Sequence, residues 1–147
     1  MNESLKRTML EQGRMARQAA RFLATASTTL KNDALLAMAE ALQDNMPAIL
    51  EANRLDLELG RQQGMTSALL ERLILNEARV EDMAQGLREI AALTDPVGEV
   101  LGMWRRPNGL EIGRVRTPMG VVGIIYESRP NVTADAAGLC LKSGNAA

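Results

Sequence analysis

Between positions 5 and about 25, apolar residues recur at helical spacing: Leu5, Met9, Met15, Ala19 and the Phe22/Leu23 pair, with Arg, Glu and Gln between them. That period puts one apolar stripe on a helix. Ser27-Thr28-Thr29 ends it, and Asn32 offers an N-cap for a second helix that buries Leu35, Met38, Ala39, Leu42 and Met46. Pro47 forces an end or a restart. A third segment, 48 to about 59, has Ile49, Leu50 and Leu57 as its buried side. Gly60 and Gly64 flank a polar turn, after which Thr66-Ser67 can cap a short helix through Leu73. Asn76 caps the next helix, Glu77 suits its dipole, and Val80, Met83, Ala84, Leu87, Ile90 and Ala91 form the stripe. Thr94-Asp95-Pro96 stops it. Residues 1–95 thus read as a run of amphipathic helices, with no internal repeat and no low-complexity linker.

After Pro96, Gly, Val, Ile and Arg replace Ala, Leu and Glu. Residues 100–106 and 110–117 flank Pro107-Asn108-Gly109, and Asn-Gly is a strong hairpin turn signal. Residues 121–126, VVGIIY, form a continuous apolar run, the pattern of a strand buried on both faces of a parallel sheet. A polar turn, Glu127 to Asn131, leads into a helix in which Asn131 can cap and Ala136, Ala137, Leu139, Cys140 and Leu141 face the core. Gly144-Asn145 is a helix stop. Strand, turn and helix make the first half of a βαβ unit, whose second strand the sequence does not contain. The expected class is α/β, with the chain reading as truncated at Ala147 and poorly stable alone.

Composition narrows this picture. The apolar fraction is 46%, yet Phe22, Trp104 and Tyr126 are the only aromatics, so Leu, Ala and nine Met fill the core, a helix-favouring mix. A net charge of −1 with interspersed signs gives no field to recruit nucleic acid or an anionic membrane. Arg105, Arg106, Arg114 and Arg116 cluster around the hairpin, as a solvated sheet surface or else as an anion site or subunit contact. Cys140 is the only cysteine and there is no histidine, which excludes a disulfide framework, a Cys/His metal cluster and a His-assisted nucleophile. No metal site is expected. No run is long enough for a signal-peptide core or a membrane span, so a cytoplasmic location is expected.

The chemistry concentrates in the turn, because open α/β sheets bind ligands beyond the carboxyl ends of their strands. Arg129 can pair with a phosphate or carboxylate, or form an ordinary surface ion pair. Ser128 can donate a hydrogen bond. Asn131 can act as a plain N-cap or donate its amide to a developing oxyanion. The helix N-terminus adds partial positive charge, so the ligand is expected to be anionic. Gly120-Val-Val-Gly123 lies before and within the strand and is no dinucleotide fingerprint. Cys140 falls on an apolar helix face and reads as a core thiol.

The stretch PMGVVGIIYESRPNVTADAAGLCLKSGNA resembles the gamma-glutamyl phosphate reductase (glutamate-5-semialdehyde dehydrogenase) family of the aldehyde dehydrogenase superfamily. ILEANRLDLELGRQQGMTSALLERL, ALTDPVGEV and RPNGLEIGRVRTPMG agree with it, and the chain resembles the family's N-terminal third. The resemblance implies NADPH-dependent reduction of L-glutamate 5-phosphate to L-glutamate 5-semialdehyde and phosphate, in proline biosynthesis. It implies a Rossmann-like, aldehyde dehydrogenase-like cofactor domain. The helical region would span 1–95, the hairpin of the oligomerisation region 97–117, and the first βα unit 118–147. The family's nucleophilic cysteine attacks the acyl phosphate, and hydride then reduces the thioester. That cysteine lies in a separate domain well past position 147 and is not Cys140, so the chain alone is expected to be inactive. By the same resemblance, Asn131 is the oxyanion donor and Tyr126, Glu127 and Ser128 line the cofactor side; Arg129, from its own place in the turn, is expected to meet the substrate phosphate. The cofactor-contacting lysine would fall past Ala147, and the full-length protein would be a homo-oligomer. The rival expectations are a non-catalytic helical interaction module and an aldehyde dehydrogenase relative with another substrate.

Overall fold

The computed structural model describes residues 3–147. Five helices come first: α1 (Glu3–Leu23), α2 (Thr28–Asp44), α3 (Met46–Gln62), α4 (Ser67–Leu73) and α5 (Glu77–Ala92). Strands β1 (Val100–Arg105) and β2 (Glu111–Val115) follow, and α6 (Pro130–Lys142) is last. Most helix starts follow the local chemistry. Asn76 Oδ1 accepts the Arg79 N–H at 2.8 Å, Thr66 Oγ1 accepts from Leu69, and Pro47 sits in the first turn of α3. The start of α2 differs from expectation. Ser27, not Asn32, is the cap, its Oγ accepting the Leu30 N–H at 3.2 Å. Asn32 therefore lies inside the first turns of α2, where its side chain is free for a tertiary role.

The core forms where α2, α5 and α6 meet. Leu35 and Ala39 of α2, Met83, Ala84, Leu87, Ile90 and Ala91 of α5, and Ala134 of α6 are all buried together. The α5 stripe is buried in full, as its 3.6-residue period predicts. In α6, Leu139 is exposed, contrary to expectation, and Ala134, Gly138, Cys140 and Lys142 are buried. Gly138 explains the close approach. A Cβ at that position would lie 2.7 Å from Leu87 Cδ2 and 3.1 Å from Ile90 Cδ1. Little of α1 is covered: Ala20 is buried, while Leu5, Met9, Met15 and Phe22 are exposed.

Two buried lysines join the helices at one end of this core. Lys142 Nζ donates to Asn32 Oδ1 of α2 at 2.6 Å and to the Ala91 carbonyl of α5 at 2.8 Å. Lys31 Nζ, itself only 1% exposed, pairs with Asp95 Oδ2 at 2.5 Å. Asp95 also accepts from Thr28 Oγ1 at 2.7 Å and from the Val97 N–H at 3.0 Å. Burial pushes the Asp95 carboxyl upward, but the hydrogen bonds from Lys31, Thr28 and Val97 outweigh it and hold the group below its ordinary value. Burial, with the nearby Lys31 charge, lowers the Lys142 ammonium, and the Asp95 charge opposes that shift.

β1 and β2 form an antiparallel hairpin, with Met103 opposite Gly113 and Trp104 opposite Ile112. Gly109 takes φ +86°, as the Asn-Gly turn requires. Arg116 pairs with Glu99 at 2.9 Å, so part of the arginine cluster is a solvated ion pair. Residues 121–126 do not form the expected buried strand. A single parallel bridge joins Val121 to Ala146, and Ile124, Ile125 and Tyr126 are exposed. A strand buried on both faces needs neighbours along both edges and cover on both sides, and among the described residues this run has one rung. That rung is well made: Val122 N–H donates to the Ala146 carbonyl at 2.8 Å, and Ala146 N–H to the Gly120 carbonyl at 2.9 Å. The expected stop at Gly144-Asn145 closes α6: Asn145 N–H bonds the Cys140 carbonyl at 2.8 Å and Gly144 N–H the Leu141 carbonyl at 3.1 Å.

Asp95→Asn removes the only counter-charge that Lys31 Nζ has among the described residues. The expected loss is about 3–5 kcal/mol, that of a buried charge left alone, read from denaturant midpoints. Because folding lowers the Asp95 pKa, its contribution is complete above the ordinary value of 3.8 and disappears as pH falls below it. The variant should lack that acid-side loss. Gly138→Ala should cost about 1–3 kcal/mol by overpacking. An unchanged midpoint would show that α6 does not sit against α5 as closely as described.

Candidate active-site cleft

The first turn of α6 and the α4–α5 connection face each other across a cleft of about 440 Å³. Arg129, Pro130, Asn131 and Asp135 form one wall; Arg72, Ile74, Leu75, Arg79, Asp82 and Met83 form the other. The second wall is anchored from behind by Asn53, which is buried in α3. Its Nδ2 donates to the Leu73 carbonyl and its Oδ1 accepts the Leu75 N–H, both at 2.8 Å. This bidentate clamp fixes the backbone on both sides of Ile74. Arg79 is also committed to the wall, donating through Nη1 to the Glu71 carbonyl at 3.1 Å and to the Ile74 carbonyl.

The sequence-predicted residues divide into two groups. Arg129 and Asn131 lie together in the cleft. Arg129, not Asn131, occupies the N-cap position of α6 and makes no side-chain cap bond. Asn131 lies inside the helix, which corrects its reading as a cap, and its Nδ2 donates to Asp135 Oδ2 at 3.1 Å. Tyr126, Glu127 and Ser128 are outside the cleft lining. The Tyr126 hydroxyl shares a 2.6 Å hydrogen bond with Thr133 Oγ1, which ties the extended run to the first turns of α6. Glu127 is exposed and has no polar partner among the described residues. Ser128 takes φ +50°, a left-handed conformation uncommon outside glycine, and so turns the chain sharply into α6.

Arg72, Arg79 and Asp82 were not expected at the site. Their sequence signal is that of a solvated helix face; the packing of α5 on α6, with the α4–α5 connection tied to α5 through Arg79, brings them opposite Arg129. Arg72, Asp82 and Arg129 have no hydrogen-bond or ion-pair partner among the described residues, so the cleft holds uncommitted charge of both signs. Cys140 is buried in α6, where burial pushes its thiol pKa up, the opposite of an activated nucleophile. No group of three or more acidic or Cys side chains with metal-binding geometry occurs among the described residues, and no helix there is long and apolar enough to cross a membrane.

No family model matches the chain. Individual proteins do. The gamma-glutamyl phosphate reductase of Syntrophomonas wolfei is 73% identical over 146 residues, which is 99% of this chain and 35% of that protein. The reductase of Moorella thermoacetica is 66% identical over 134 residues, 91% of this chain and 32% of that protein. In crystal structures, gamma-glutamyl phosphate reductase from Thermotoga maritima superposes with a TM-score of 0.89 at 47% identity, covering 92% of this chain and 33% of that one. The enzyme from Saccharomyces cerevisiae gives 0.84 at 40% identity, covering 88% and 33%. The chain spans about a third of the length of the relatives it matches. In sequence and in fold, it matches the N-terminal third of the gamma-glutamyl phosphate reductase family.

Proposed function

We propose that this chain serves the NADPH-dependent reduction of L-glutamate 5-phosphate to L-glutamate 5-semialdehyde and phosphate. The observation that carries the reading is the 73% identity to a reductase across 99% of the chain. The cleft geometry is consistent with it. Asn131 has two amide hydrogens, of which Asp135 takes one; the other is free to donate to the acyl oxygen as charge develops there. Arg129, unpaired at the positive end of α6, suits the departing phosphate through a charge-assisted, two-pronged contact. Cys140 cannot supply the attacking thiolate from its buried position, so the reading assigns the nucleophile to a residue beyond position 147.

Tyr126, Glu127 and Ser128 fit the ribose and ring portion of a nicotinamide nucleotide: an exposed ring, an unpaired carboxylate and a hydroxyl follow one another at the mouth of the βα turn. They bring no positive charge that would choose NADPH over NADH. The bound nucleotide would supply hydride; these residues would hold its ribose. The parallel rung between Val121 and Ala146, with α6 between them, supports a Rossmann-like sheet. Exposed Met103 and Trp104 on the hairpin support a subunit contact in a homo-oligomer.

The reading is tested by grafting residues 1–147 onto the Syntrophomonas wolfei reductase in place of its matching segment and following NADPH oxidation with glutamate 5-phosphate. Activity is expected; an inert but folded chimera would refute the assignment. In the active chimera, Asn131→Ala should lower kcat by roughly 100- to 1,000-fold. Its stability should move by no more than about 0.5 kcal/mol, since the side chain is exposed. An unchanged kcat would remove Asn131 from the oxyanion role.

A further inference from the structure

The cleft holds more charge than the transferring acyl phosphate needs. Arg129 and Asn131 occupy one wall, yet Arg72 and Asp82 stand on the other with opposite charges and no partner among the described residues. Unpaired charges of both signs, in a cleft whose lining also includes the apolar Ile74, Leu75 and Met83, are the complement of a zwitterion on a short methylene chain. Glutamate 5-phosphate has that form at the end remote from its reacting carbon: an α-carboxylate and an α-ammonium. We infer that Arg72 and Asp82 are the specificity residues for this amino-acid end, Arg72 receiving the α-carboxylate and Asp82 the α-ammonium. The inference rests on the reductase reading above and extends it to residues that reading does not use.

Three features favour this pair over its neighbours. Arg79 already spends its Nη1 on the Glu71 and Ile74 carbonyls. Asp135 already accepts from Asn131. The backbone on both sides of Ile74 is held by buried Asn53 of α3, and Arg79 of α5 bonds the Glu71 and Ile74 carbonyls, so the segment bearing Arg72 is tied to α5 and its Asp82. At about 440 Å³ the cleft is within the roughly 300–1,000 Å³ span of small-molecule sites.

The test uses the active chimera in the reverse direction, oxidising aldehydes with NADP and phosphate. Three substrates are compared: glutamate 5-semialdehyde, 5-oxopentanoate, which lacks the amino group, and 4-aminobutanal, which lacks the carboxylate. Arg72→Gln should lower kcat/KM for the two carboxylate-bearing aldehydes by roughly 10- to 100-fold, the range of a charge-assisted hydrogen bond. The loss should fall mainly on KM and should leave 4-aminobutanal unchanged. Asp82→Asn should do the same for the two amino-bearing aldehydes and spare 5-oxopentanoate. Both side chains are exposed, so melting temperatures should not move. Equal losses on all three substrates, or no loss on any, would overturn the inference while the activity of the parent chimera still upheld the reductase reading. A chimera inactive on every aldehyde would end both.

Discussion

The arrangement depends on how two buried ammonium groups are satisfied at the C-terminal end of α6. Lys142 reaches α2 through Asn32 and α5 through the Ala91 carbonyl, while Lys31 is neutralised by Asp95 just beyond the end of α5. Neither lysine can be buried cheaply, and the cost is met only if all three helices keep one relative position. Lys142 also lies in the last turn of α6, where its charge opposes the negative end of the helix dipole. The polar tie therefore specifies geometry more than it adds stability. Beside it, Gly138 lets the same helix close onto Leu87 and Ile90.

That geometry is read out at the other end of α6. A helix of 13 residues carries position to a point about 20 Å away. There Arg129 and Asn131 are held across from Arg72 and Asp82. Two further ties complete the placement: Tyr126 to Thr133 on the incoming chain and Asn53 to the backbone around Ile74. The cleft is thus built on anchored backbone, and three of its charged groups, Arg72, Asp82 and Arg129, have no side-chain partner among the described residues.

Much of this was legible in the sequence because one-dimensional periodicity reports burial where a helix has one wet face. The α5 stripe and the Asn-Gly turn are cases in which local pattern and tertiary context agree. The pattern misled where an apolar residue had no cover. Residues 121–126 have the composition of an interior strand, but burial depends on neighbours, and among the described residues the run has a single rung, at Val121 and Val122 against Ala146. Leu5, Met9 and Phe22 have the right spacing on α1 and are nonetheless exposed. The buried lysines were invisible for the opposite reason: nothing local in the sequence marks Lys31 or Lys142 for burial, and only Asn32, Asp95 and Ala91 around them do. Asn32 and Asn131 both looked like caps, and both belong to tertiary or site contacts instead. The polar turn that holds Arg129 and Asn131 is legible because it follows an apolar run and precedes a helix. That Arg72 and Asp82 line the same cleft is not, since nothing local distinguishes them from other charges on a helix face.

The central claim is that substrate sits between the α4–α5 connection and the first turn of α6. Hydrogen–deuterium exchange on the chimeric reductase, with glutamate 5-semialdehyde and phosphate but no nucleotide, tests it most directly. The account predicts ligand-dependent slowing in peptides covering residues 72–83 and 129–135, with the hairpin at 100–115 unchanged. Saturating ligand that leaves both of those stretches exchanging as fast as before would contradict it.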